Sequence, residues 1–154
     1  MIFRYKQPAG PTLAQKLALS FSKVKRVLFV DDDEVLQEFM AHEVAPAFCA
    51  DFLGVRSVAE ARTAVEGSLP FDAALLDVKL TNGNGVELYR EIAKKFPAMQ
   101  VVFLTGYDSP ELRQKIEAIG PARVYSKARV LDLTFLSQFF AQLGIHERQR
   151  AGVA

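Results

Sequence analysis

Four short apolar runs, each stopped by a polar residue, constrain this chain more than anything else in it. Val27-Leu28-Phe29-Val30 runs into Asp31-Asp32-Asp33, and Ala73-Ala74-Leu75-Leu76 runs into Asp77. Val101-Val102-Phe103-Leu104 ends at Thr105, and Val124-Tyr125-Ser126 ends at Lys127. An apolar run of this length that stops at a charge reads as a buried parallel strand emerging at its carboxyl end. In an open parallel sheet those ends share one edge, where a crevice forms. Residues scattered over nearly a hundred positions should therefore meet in one place.

The segments between the runs support that sheet. Residues 1–11, with Pro8, Gly10 and Pro11, read as irregular. Thr12 with Gln15 makes a capping box, and Leu13, Leu17, Phe21 and Val24 recur at helical spacing, giving a short amphipathic helix over 12–22. A strand at 26–31 leads to a helix at 34–44 that Pro46 helps to end. A strand at 50–55 and a helix at 58–66 follow, then, past Gly67 and Pro70, a strand at 72–77. Gly83 and Gly85 open a loop before a helix at 86–95. A strand at 100–105 precedes a helix that Ser109 and Pro110 start and Gly120 stops after Ile119. A strand at 122–126 and a helix at 131–145 finish the pattern. Five alternating β/α units with short loops predict a doubly wound α/β sheet with helices on both faces. The division expected is an N-terminal extension at 1–24 carrying an extra helix, one domain at 25–145, and a charged tail at 146–154 that frays.

Composition narrows the function classes. A net charge of +1 with scattered basic residues predicts no nucleic-acid or membrane footprint. No apolar run approaches the roughly 20 residues of a membrane span, and no signal peptide is expected. A single cysteine, Cys49, suits a reducing cytoplasm, the expected location.

The strand-end residues suit phosphoryl chemistry. Asp77 is a candidate nucleophile, since a carboxylate can take a phosphoryl group as a mixed anhydride. Asp31 and Asp32 would offset the repulsion between anions by holding Mg²⁺, which prefers hard oxygen ligands. Lys127 would pair with a phosphoryl oxygen, and Thr105 offers a hydroxyl beside the open backbone of Gly106. Asp33 reads as a cap for the helix starting at Glu34.

Taken in order, these signals resemble the receiver domain of two-component response regulators, over roughly residues 25–145. The resemblance rests on the acidic cluster, Leu-Leu-Asp77, Asn-Gly85 eight residues later, Thr105-Gly106 and Lys127. It implies a five-stranded parallel sheet in the flavodoxin-like order 2-1-3-4-5. It also implies that Asp77 accepts a phosphoryl group from a phosphohistidine on a sensor histidine kinase or histidine phosphotransfer protein. Asp32 would bind Mg²⁺ directly, Asp31 directly or through water, and the backbone carbonyl of Lys79 would add a contact. Thr105 and Lys127 would read the phosphoryl group.

The chain departs from that family at several positions. Thr81 stands where a proline is usual, four residues after the acceptor. Lys127-Ala128 replaces Lys-Pro, so the bond is expected trans and the loop to Val130 reshaped. Val124 replaces the aromatic three residues before the lysine, with Tyr125 one place later, which predicts that the usual coupling to Thr105 is absent or rewired. Lys79 and Tyr107 are expected beside the path of hydrolytic water, predicting a long-lived phosphorylated state.

Two other classes stay open on sequence. One is a haloacid-dehalogenase-like phosphatase with Asp31 as nucleophile and Asp33 as acid, which leaves Asp77 unexplained. The other is a receiver-like binding module without the chemistry. Output is expected through protein–protein contact, because little chain follows the last helix. On that helix Leu133, Leu136, Phe140 and Leu143 form a stripe for the sheet, and Leu131, Phe135 and Phe139 form a second. The N-terminal helix is ranked first as cover for the second stripe, and homodimerisation through the last two helices next.

Overall fold

The computed structural model describes residues 2–6, 24–67 and 69–149. Five parallel strands form its centre: β2 (Arg26–Val30), β3 (Asp51–Val55), β4 (Ala73–Leu76), β7 (Gln100–Thr105) and β8 (Arg123–Ser126). They lie in the order β3-β2-β4-β7-β8, the expected 2-1-3-4-5. A sixth strand, β1 (Phe3–Tyr5), pairs antiparallel with β3, Arg4 opposite Leu53. Its residues were expected to be irregular, and this is a correction. Phe3 and Tyr5 alternate with Arg4, so the apolar pair turns to one face of the sheet while the cation turns to the other. The helix expected at 12–22 lies outside the described residues.

Strand alternation divides the core in two. Leu28, Val30, Leu53, Val55 and Phe103 face α2 (Val58–Val65), α3 (Gly85–Lys95) and α4 (Pro110–Glu117). Val27, Phe29, Phe52 and Leu75 face α1 (Glu34–Phe39) and α5 (Leu133–Gln142). Both faces are covered, which is why the strands read as continuous apolar runs. Phe140 of α5 sits fully buried, 4.6 Å from Phe48 and 5.7 Å from Phe52 between ring centroids. Such edge and tilted contacts between rings add to burial itself.

Helix ends follow the side chains available to cap them. Asp33 accepts from the Leu36 amide, Ser57 from Glu60, Asn84 from Val86 and Ser109 from Leu112. The helix expected over 34–44 is α-helical only to Phe39. It widens into a π turn at Met40–Val44 and tightens into a 3-10 turn at Ala45–Ala47. Pro46 falls within that last turn and has no amide to continue the ladder.

Three further expectations need correction. The last helix begins at Leu133 rather than 131, because Asp132 caps it by accepting from the Thr134 and Phe135 amides. Its stripes are also mixed, since Leu133 and Leu131 are exposed while Phe139 is buried beside Leu136 and Phe140. The start of the tail is docked rather than frayed. Cys49 N donates to His146 O at 2.8 Å, Arg148 N to Ala47 O at 2.7 Å, and the Arg148 guanidinium lies over the Tyr5 ring. Among the described residues, no helix is long and apolar enough to cross a membrane.

Candidate functional site: an acidic crevice at the carboxyl edge of the sheet

The register of the sheet brings the strand ends level. Val30 pairs with Leu76 and Leu76 with Phe103, so Asp31 and Asp77 leave adjacent central strands side by side. The Asp77 amide donates to Val30 O at 2.9 Å and the Asp31 amide to Val55 O at 3.1 Å. Backbone pairing thus persists up to the acidic residues themselves. Gly85, at the start of α3, holds this approach open. A Cβ there would lie 1.9 Å from the Asp77 carbonyl oxygen, so no side chain fits.

Asp31, Asp32 and Asp77 each present a carboxylate oxygen within 4.8 Å of the other two, which makes them a candidate cation site. Asp31 is completely buried and Asp77 nearly so, whereas Asp32 is half-buried. Lys127 Nζ enters between the buried pair, donating to Asp31 Oδ1 at 3.1 Å and Asp77 Oδ2 at 2.9 Å. Burial would lower the pKa of this ammonium, but the bonds to Asp77 and Asp31 outweigh it and hold the value above that of an ordinary lysine. Burial pushes the Asp31 carboxyl up to about 6. The Asp33 amide and Lys127 pull it down, and the charge of Asp77 adds to the rise. Asp31 Oδ2 is buried and accepts no hydrogen bond, although Lys127 Nζ lies 2.9 Å away. A buried oxygen with spare lone pairs, in an all-oxygen donor set, fits a hard divalent cation such as Mg²⁺.

The expected residues do not all play the expected parts. Asp33 turns away from the cluster to cap α1, so the phosphatase alternative loses its acid. The Lys127–Ala128 bond is trans, as expected without a proline, and a 3-10 turn runs from Lys127 to Leu131. Thr105 is buried at the end of β7, where its hydroxyl donates to Tyr107 O at 3.1 Å and accepts from Tyr107 N at 3.0 Å. Val124 shares the face of Phe103, while Tyr125 lies on the other and packs on Phe135 and Phe139 of α5. By strand alternation Thr105 shares the Phe103 and Val124 face, so no aromatic of β8 sits on its side of the sheet. Lys79 lies in a small hairpin formed by β5 (Lys79–Leu80) and β6 (Gly83–Asn84), and its Nζ sits 4.4 Å above the Tyr107 ring. The two side chains expected near the hydrolytic path therefore touch each other across the crevice.

Some residues around the crevice carried no legible signal for these contacts. Gln37 Nε2 donates to both Asp31 O and Val55 O at 2.8 Å, pinning the acidic loop to β3. Arg56 Nη2 donates to Asp32 O at 3.3 Å. Thr81, noted only as a missing proline, donates from both its amide and its hydroxyl to Asp32 Oδ2. The contacts of Gln37 with Val55, of Arg56 and of Thr81 join segments distant in sequence, which no local spacing announces.

The chain is similar to known proteins in sequence and in fold. Residues 27–131 match the family described as response regulator receiver domain. The DNA-binding transcriptional activator DevR/DosR of Mycobacterium tuberculosis is 38% identical over 87 residues, covering 56% of this chain and 40% of that protein. The response regulator receiver protein CpdR of Brucella abortus is 30% identical over 106 residues, covering 68% of this chain and 85% of that one. In fold, the chain resembles Vibrio cholerae chemotaxis protein CheY4, with a TM-score of 0.69 at 20% identity over 79% of this chain and 99% of that one. The chain spans 40% of DevR/DosR and 28% of a Thermotoga maritima cyclic di-GMP phosphodiesterase that it also matches. The family match runs from the first parallel strand to the end of the turn after Lys127 and takes in the whole acidic crevice, so this chain belongs to the response regulator receiver domains.

Proposed function

We propose that this domain accepts a phosphoryl group from a phosphohistidine, on a sensor histidine kinase or histidine phosphotransfer protein, onto the Asp77 carboxylate, and passes the signal on through protein–protein contacts in the cytoplasm. The observation that carries the reading is the position of Lys127 Nζ, 2.9 Å from Asp77 Oδ2 and bonded also to Asp31. A fixed cation at that oxygen is placed to meet the charge of an incoming phosphoryl group.

Asp31, Asp32 and the backbone carbonyl of Lys79 would hold Mg²⁺ together with Asp77. The cation would neutralise charge on the transferred oxygens. Attack by an Asp77 oxygen on phosphorus forms the acyl phosphate as the bond from phosphorus to the histidine nitrogen breaks, and the imidazole leaves with that electron pair. Lys127 would then move from the carboxylate to a phosphoryl oxygen, since both are anions within its reach. Thr105 would exchange its loop contacts with Tyr107 for the same group, and that exchange would carry the change to the β7–α4 loop. Phosphorylation acts on a partner only as far as these contacts differ between the two states.

The test is intact-mass analysis after incubation with acetyl phosphate or phosphoramidate, with Mg²⁺ and with chelator. Gain of one phosphoryl group that requires the cation and is lost in Asp77→Asn supports the reading. Absence of any gain from donors that load a control receiver would favour a binding module without the chemistry.

A further inference from the structure

The three carboxylates of the crevice are not held alike. Lys127 fixes Asp31 and Asp77 from within, but no hydrogen bond joins it to Asp32. Asp32 is held instead from the hairpin, where the Thr81 amide donates to Oδ2 at 2.8 Å and the Thr81 hydroxyl donates to the same oxygen. Among the described residues these are the hydrogen bonds to the Asp32 carboxylate. A proline at position 81 would have neither donor. We infer that Thr81 is a positioning residue for the cation site, clamping Asp32 through Oδ2 so that Oδ1 is presented to a divalent ion. The inference rests on the acceptor reading above.

The physical case is one of orientation. A half-buried aspartate on a loop has several rotamers open to it, and only some direct an oxygen toward Asp31 and Asp77. Two donors converging on one oxygen select a rotamer and leave the other oxygen's lone pairs free, since a carboxylate accepts at both. Hydrogen bonds to ligating carboxylates typically change metal affinity by about 10–100-fold, and the exposure of Thr81 places it at the low end. The clamp also ties the hairpin that carries Lys79 to the strand-end loop of β2, across 49 residues of sequence.

The test measures binding of Mn²⁺, a spectroscopic stand-in for Mg²⁺, by the loss of the free-ion electron paramagnetic resonance signal. No phosphoryl donor is present. Thr81→Val keeps the branched shape and the amide but removes the hydroxyl; Thr81→Ser restores the hydroxyl. The expected result is about tenfold weaker binding in Thr81→Val and near-native binding in Thr81→Ser. Thermal melts of the metal-free proteins show whether each variant is folded. A folded Thr81→Val that binds Mn²⁺ as tightly as wild type, or more tightly, overturns the inference while leaving the acceptor reading intact. Weak binding in both variants overturns it too, because the hydroxyl would not be what matters. A wild-type protein with no saturable binding abolished by Asp31→Asn overturns the acceptor reading and this inference together.

Discussion

The inner and outer halves of the crevice are built on different principles. Asp31, Asp77 and Lys127 form the inner half. They sit at the ends of hydrogen-bonded strands, are largely buried, and the two carboxylates share one ammonium. Asp32, Thr81, Lys79 and Tyr107 form the outer half, on loops and a two-residue-per-strand hairpin, held by side-chain contacts that water can reach. Burial makes the inner half electrostatically strong and costly to leave unbalanced. Exposure makes the outer half cheap to alter, and Thr81, where the family usually has proline, lies there. The sheet thus positions the inner carboxylates and lysine, and the loops position the outer residues.

Gly85→Ala breaks the inner half through the backbone. With its Cβ directed onto the Asp77 carbonyl, the substitution should cost about 3 kcal/mol or more in chemical denaturation and impair phosphoryl uptake with it. A native-like melt would mean that α3 can shift freely away from the acceptor strand.

Asp31→Asn sharpens the contrast by pH. The Asp31 carboxyl titrates at about 6 in the folded chain against 3.8 for a free side chain, so the folded state binds the extra proton between those values. Stability from this group therefore rises as pH falls from 7 to 4 and is lost as pH rises through 6. The shift corresponds to about 3 kcal/mol at neutral pH. Asp31→Asn should be more stable than wild type by up to that amount at pH 7.5, with the difference fading near pH 4. Urea melts across that range check it, and a destabilised variant at pH 7.5 would show that the Lys127 pair outweighs burial. Millimolar Mg²⁺ should stabilise the wild type at pH 7.5 far more than Asp31→Asn, as expected for a ligand that binds only the folded state.

Lys79→Ala and Tyr107→Ala probe the outer half. Each should change stability by about 1 kcal/mol or less, since the pair is an exposed cation over a ring. Each should nonetheless speed loss of the phosphoryl group once the donor is removed, followed by intact mass over time. Decay at the wild-type rate in both variants would reduce the pair to a surface contact.

The same division explains what was legible in the sequence. Asp31, Asp77, Thr105 and Lys127 could be placed because each ends an apolar run, and strand direction alone brings such ends together. The sheet order followed once the family was recognised. Asp33 could be separated from its neighbours because a carboxylate just before a helix has a common local use, and it serves that use here. The edge strand Phe3–Tyr5 was not legible, because three residues are too few to show alternation and two prolines follow soon after. Nor was the docking of Arg148 on the Ala47 and Pro46 carbonyls, where a charged tail reads as solvated. Leu133 looked like core because it keeps helical spacing with Leu136, but the cap at Asp132 starts the helix with Leu133 turned to solvent. The grip of Thr81 on Asp32 depends on a tertiary contact that neither residue advertises.

The central claim is that Asp77, and not another carboxylate of the crevice, forms the covalent bond to phosphorus. Borohydride reduction of the phosphorylated protein converts an aspartyl phosphate to homoserine, and peptide mapping then identifies the position by mass. The account predicts homoserine at residue 77, in an amount that follows Mg²⁺. Homoserine at residue 31 would contradict it in favour of a phosphatase-like nucleophile, and its absence from a protein that has gained a phosphoryl group would show that the group resides on a different kind of side chain.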